Sequence, residues 1–272
     1  MNIRGVCCLL LCLSAESVGA QAIDDDLVHY SYATLLGSGI YRLDDRTIAI
    51  LRIPLGWQIR EPTSDKPGIR FVLPTAVGLH NYDFLDDFFP DLDEQLTTIS
   101  VVPGIQWQYL IGDRWRVTPG AYLGFGADVT NNESSLIYGG QLSALYAMKP
   151  VYPEMHFGTA VILSGYNPES GSGDFITRWS AGFDAKFTTG MKFGKSNIFL
   201  GGHVIGYFYL DEVKFESVIG DPTELDREME VGVFIGARPK LKLFGIEIDR
   251  IGIGYRFSAV SDAIVFFAGF PF

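Results

Sequence analysis

Cysteine is missing from all but the first dozen residues: Cys7, Cys8 and Cys12 are the only three in a chain of 272. The remainder therefore offers neither a disulfide scaffold nor thiolate ligands for a metal. Long apolar runs are missing too, so no transmembrane helix is expected. Basic charge is scarce: 21 Lys and Arg stand against 32 Asp and Glu, for a net charge of −11. With no basic patch to neutralise phosphates, nucleic acid is not an expected partner. Charged residues of both signs make up only 19%. The glycine pairs Gly139-Gly140 and Gly201-Gly202 lie inside strand-like segments and lack the helix start of a phosphate loop.

What is present begins with a leader. Arg4 supplies a positive start, Val6 to Leu13 is a short apolar run, and small residues end it at Val18-Gly19-Ala20 and Ala20-Gln21-Ala22. That pattern predicts a signal peptide over 1–22, removed to leave residues 23–272 as one domain. The run Leu9-Leu10-Leu11 before Cys12 lacks the small residues a lipidation cut needs. The remaining chain is rich in aromatics (14% overall) and carries most of the 31 glycines. This composition suits a barrel with a lipid-facing band and aromatic girdles. Trp57, Trp107, Trp179 and Arg114-Trp115-Arg116 read as girdle positions.

Period-2 alternation recurs along the chain. In 114–128, Trp115, Val117, Pro119, Ala121, Leu123, Phe125 and Ala127 share one face, opposite Arg114, Arg116, Thr118 and Tyr122. In 174–189, Phe175, Trp179, Ala181, Phe183, Ala185 and Phe187 oppose Arg178, Ser180, Asp184, Lys186 and Thr188. Leu51, Ile53, Leu55, Trp57 and Ile59 oppose Arg52, Gln58 and Arg60. Met229, Val231, Val233, Ile235 and Ala237 oppose Glu228, Glu230 and Arg238. An Arg or Lys at the bilayer midplane costs about 2–4 kcal/mol, so the polar faces must point inward. The pattern predicts an all-β fold: a transmembrane antiparallel up-and-down β-barrel of about 12 strands. Candidate strands lie at 27–41, 46–60, 68–82, 95–110, 114–128, 134–148, 151–164, 174–189, 197–211, 227–238, 245–258 and 261–272. A phase change between Ile248 and Ile251 predicts a bulge or an early turn near Asp249-Arg250.

Connector lengths alternate. The two longest, 83–94 and 212–226, fall on the same side, which places them outside the cell and both termini in the periplasm. They are acidic. Asp83 to Glu94 holds six acids and no base, and Asp211 to Asp226 holds six acids against Lys214, so together they account for the whole net charge. Asp83, Asp86, Asp87, Asp91 and Asp93 have no EF-hand spacing and alternate with Phe84, Leu85, Phe88, Phe89 and Leu92. An acidic extracellular loop, not a metal site, is the reading.

Inward-facing charge is the main candidate for function. Arg52, Arg60, Arg114, Arg116, Arg178, Asp184, Lys186, Glu228 and Glu230 are predicted to line the lumen, with Arg46, Arg70, Arg238 and Arg256. Such a lining serves either a small-solute channel with a leaning to anions, or a plug of paired charges in a structural or surface-binding protein. The arginine excess on the early strands favours anions. The alternative is an outer-membrane hydrolase of lipid or peptide at the extracellular rim, where His80 precedes Asp83, Asp86 and Asp87. No second dyad partner is evident, so a non-enzymatic protein without cofactors or metal is the expectation. His156 reads as a structural hydrogen-bonder, and His203 sits among glycines with ambiguous parity.

The chain closes on AIVFFAGFPF, with Ile264, Phe266, Ala268, Phe270 and Phe272 in one parity. On these segments, with DFFPDLDEQLTTISVVPGIQW and RWRVTPGAYLGFG, the chain resembles Gram-negative outer-membrane β-barrels. It is similar to uncharacterised single-domain members, including the solitary autotransporter-like barrels. The resemblance implies an outer-membrane location, contact with lipid and lipopolysaccharide, and porin-like architecture. It also implies that Phe266, Phe270 and Phe272 form the signal read by the barrel-insertion machinery. Deleting Phe272 is therefore expected to lower the barrel's abundance in outer-membrane fractions on quantitative immunoblots; normal abundance contradicts this.

Overall fold

The computed structural model describes residues 35–43, 46–80, 96–129, 132–148, 152–169, 173–215, 223–243 and 246–272. At 43, 46, 80, 96–97, 212–215, 223–224, 241–243 and 246–248 it describes the backbone alone. Thirteen strands run in chain order: β1 Ser38–Leu43, β2 Arg46–Arg60, β3 Gly68–His80, β4 Leu96–Val101, β5 Gly104–Ile111, β6 Trp115–Asp128 and β7 Glu133–Ala147, then β8 Glu154–Pro168, β9 Asp174–Phe193, β10 Ser196–Phe215, β11 Thr223–Leu243, β12 Ile246–Phe257 and β13 Ser261–Phe267.

Neighbours in sequence pair antiparallel, and β1 pairs with both β2 and β13, so the sheet closes on itself. β4 and β5 both lie between β3 and β6 and make one broken stave. The result is a closed antiparallel barrel of twelve staves. Pro103 explains the break, because it has no N–H to give the ladder. Val102 swings inward there, 1% exposed, and packs with Ile137 and Tyr166. Its N–H donates to the Pro74 carbonyl, and Leu123 N–H donates to that of Pro103, so the stave holds across the gap.

The alternation read from the sequence is the alternation of the wall. Leu51, Ile53, Trp57, Leu123, Phe125, Phe183, Phe187, Val233 and Ile253 are exposed on the outside. Thr118, Ser135, Ser143, Ser164, Arg178, Asp184, Glu228 and Glu230 are buried within. A soluble protein inverts this distribution, keeping charge out and large apolar groups in.

Four local expectations change. The structure describes the first strand only from Ser38; residues 27–34 lie outside the described residues, and Leu35 to Gly37 are not strand. The irregularity facing Arg250 has its extra residues on β11, between Gly236 and Leu241, rather than on β12. Ala237 is buried beside that break, although it stays in register with Ile198 of β10. Finally, β13 stops at Phe267. Gly269 takes φ 103°, a conformation other residues rarely adopt, and the chain turns inward. Ile264 and Phe266 stay outside, whereas Phe270 and Phe272 enter the barrel, so the five residues do not share a face.

Gly124 sits beneath the β4–β5 break, where an added Cβ would lie 2.2 Å from the Val101 carbonyl oxygen and 2.5 Å from Val102 Cα. Both are backbone atoms that have nowhere to go. Gly124→Ala is expected to cost about 1–3 kcal/mol, read as a lower urea midpoint for loss of the heat-modifiable band on gels.

Candidate functional site

The interior is built by side chains of paired neighbouring strands, tied together by two ion pairs that cross the lumen between strands that are not neighbours. Asp184 on β9 accepts from His156 Nδ1 on β8 at 2.8 Å and is paired with Arg250 Nη1 from β12. Arg250 also holds Asp249 at 3.1 Å, and its guanidinium lies over the Phe234 ring at 4.5 Å. Arg238 on β11 reaches Glu154 on β8 through two bonds of 3.2 Å. Parallel bonds of this kind are the geometry that a guanidinium and a carboxylate favour. Lys186 completes this lower tier, with Nζ 5.5 Å above the Phe199 ring.

A second tier lies nearer the rim that carries the long connectors. Glu230 takes His203 Nε2 at 2.8 Å, the Tyr207 hydroxyl at 3.0 Å and Arg256 Nη2 at 2.8 Å. Glu228 accepts from the Tyr209 hydroxyl at 2.7 Å and from Ser261 at 3.2 Å. The Arg256 guanidinium stands 4.3 Å over the Tyr207 ring and 5.8 Å from that of Tyr41. Arg178 donates to the Leu35 carbonyl, which draws the chain before β1 into the lumen. Leu35 packs there with Ile176 and Leu225. The described carboxylates of both tiers therefore all have donors.

The early staves differ. Among the described residues Arg52, Arg60, Arg114 and Arg116 form no ion pair. Arg60 donates to the Pro67 carbonyl at 2.8 Å, and Arg114 reaches the Tyr146 hydroxyl at 3.3 Å. Arg70 has partners of its own.

The structure thus places the predicted lumen set at three depths. Arg178, Asp184, Glu228 and Glu230 are buried inside; Arg52 and Lys186 are half-buried; Arg60, Arg114 and Arg116 are exposed towards the short-turn rim. His203 belongs to the interior, and Arg250 was missed because the bulge was assigned to its own strand. Counting parity back from Arg256 through Gly254 and Gly252 finds it. The tyrosines Tyr41, Tyr207 and Tyr209 were missed too, although each has the inward parity of its strand. The side chain of His80 lies outside the described residues, as do Asp83, Asp86, Asp87, Asp91 and Asp93. Among the described residues no group of His, Cys, Asp and Glu is placed to hold a metal.

The chain's end fills the lower tier. The Phe270 ring lies 6.2 Å from that of His203 and 5.9 Å from the Arg250 guanidinium. Phe272 stacks edge-on to Phe270 at 4.8 Å and occupies a notch over Gly158, where a Cβ would fall 2.3 Å from Phe272 Cδ2.

Asp184 is 1% exposed and is bound by both His156 and Arg250. Asp184→Ala leaves Arg250 without its interior counter-charge, and is expected to destabilise the barrel by about 3–5 kcal/mol. Equilibrium urea unfolding measures the loss.

No protein-family model matches the chain, and no curated protein matches it significantly. Among solved structures, a NanC porin is similar to it with a TM-score of 0.42 and 11% identity, covering 85% of this chain and 97% of that one. At that distance the likeness speaks to neither solute nor mechanism.

Proposed function

We propose that this barrel spans a bacterial outer membrane and acts there as a channel for small anionic solutes. The outside supports the membrane: a belt of large apolar side chains surrounds a wall whose backbone groups pair with one another, the condition for crossing lipid with strands. Contact with lipid and lipopolysaccharide follows from that belt. Orientation follows from the connectors, with the acidic ones outside and the termini in the periplasm, after removal of 1–22.

One observation carries the solute class. Glu154, Asp184, Glu228 and Glu230 are already held by cations or hydroxyls, whereas Arg52, Arg60, Arg114 and Arg116 have no carboxylate among the described residues. Arg52, Arg60, Arg114 and Arg116 form a positive lining on β2, β6 and the turn before β6. Such a lining concentrates anions and lowers their barrier to entry. It supports passage, not chemistry, and the protein is read as non-enzymatic.

Leu35, Phe270 and Phe272 narrow the interior, so conductance should be small. In a planar bilayer with a KCl gradient, the purified protein is expected to give discrete steps with a reversal potential displaced towards chloride. A silent bilayer rejects the channel; the crossing pairs Arg250–Asp184 and Arg238–Glu154 then mark a rigid structural or surface-binding barrel.

A further inference from the structure

The last strand, β13, ends at Phe267, whose ladder partner is Gly252 on β12. Beyond it, Ala268 to Phe272 leave the wall and enter the lumen. Phe272 comes to rest over Gly158 of β8, five staves from β13 in a ring of twelve, so the tail lies across nearly the full bore. The described contacts of the tail are those of its rings. Phe270 meets the ring of Phe272 at 4.8 Å and that of His203 at 6.2 Å, with the Arg250 guanidinium at 5.9 Å. Among the described residues, 268–272 make no ladder pairing and no ion pair. Their packing is also one-sided. The inward rings Phe199 and Phe234 are buried, whereas Phe270 and Phe272 are half-buried and Pro271 is exposed.

Two glycines set the position of the tail, one at each end. Gly158 faces Gly182 across the β8–β9 ladder, so two adjoining places on the inner wall carry no side chain, and the Phe272 ring lies over the first. Gly269 turns the chain inward at φ 103°, and no atom lies within 4 Å of where its Cβ would stand. Glycine is needed there for its conformation and not for space. Ring contacts are individually weak, so the crossing can be undone while the wall stays intact. We propose that Ala268–Phe272 is a reversible plug, closed when Phe272 sits over Gly158 and opened by rotation about Gly269. The plug rests on the channel reading and names what obstructs that channel.

Two variants act from opposite ends of the tail and leave Phe266, Phe270 and Phe272 in place. In Gly158→Ala the new Cβ and the Phe272 ring cannot share the notch; β8 is held by ladders on both sides, so the tail gives way. In Gly269→Ala nothing clashes, but the inward turn is disfavoured about tenfold. The full-length barrel in detergent is treated with carboxypeptidase Y, and release of Phe272 is followed by mass spectrometry. The unchanged protein is expected to be trimmed slowly and both variants faster, Gly269→Ala by about tenfold. In a planar bilayer both variants should give larger steps than the unchanged protein. Heat-modifiability on gels confirms that each has folded. Equal trimming of all three overturns the plug. So do variants that are trimmed fast yet pass no more current than a conducting unchanged protein. If all three are silent in the bilayer, the channel reading fails; fast trimming of both variants then still supports the hinge and its seat, and slow trimming removes them as well.

Discussion

Five residues, Gly39 to Leu43, carry ladder pairings to both β2 and β13, and among the described residues only β1 closes the sheet into a ring. Everything else inherits its place from that closure. Once the ring is shut, the pleat assigns every side chain either to the outside or to the lumen. A slip of one residue at the seam would turn Ile264 and Phe266 inward and leave Val265 outside. The apolar belt fixes the register, because only one phase keeps arginine out of a hydrocarbon environment.

Closure also determines the electrostatics. Staves far apart in sequence face each other across the lumen, so cations from late strands meet carboxylates from earlier ones. Asp184 meets Arg250 and Glu154 meets Arg238 in this way. The pairing is uneven round the ring. The wall from β8 to β12 holds both signs and balances them, whereas β2 and β6 bring Arg52, Arg60 and Arg116 against the single buried carboxylate Asp128. The asymmetry creates a field across the lumen rather than along it.

Much of this was legible in the sequence, for a plain reason. Alternation is a local property, and the wall of a barrel repeats one local rule twelve times. Arg178 to Phe187 and Trp115 to Ala127 show the rule without interruption, and the structure follows it there residue by residue. What was not legible depends on breaks in the rule. Val102-Pro103 splits a stave that reads as one run, since the loss of a ladder donor does not disturb the hydrophobic pattern. The extra residues opposite Arg250 sit on β11, and a phase change seen in one strand does not say which partner holds the insertion. Partners within the lumen were equally hidden. Parity points Asp184 inward but cannot tell that Arg250 lies across from it.

The notch at Gly158 has a consequence for how the barrel is measured out. Phe272 is the last residue of the chain, yet it rests on β8, five staves from the strand it leaves. The reach from Phe267 to that notch is fixed by five residues of chain. A ring with a stave too many would carry the notch out of that reach. The tail is thus a gauge of circumference: it fits only a barrel of the correct bore, and a chain lengthened past Phe272 would have to thread its extra residues through the space the gauge occupies.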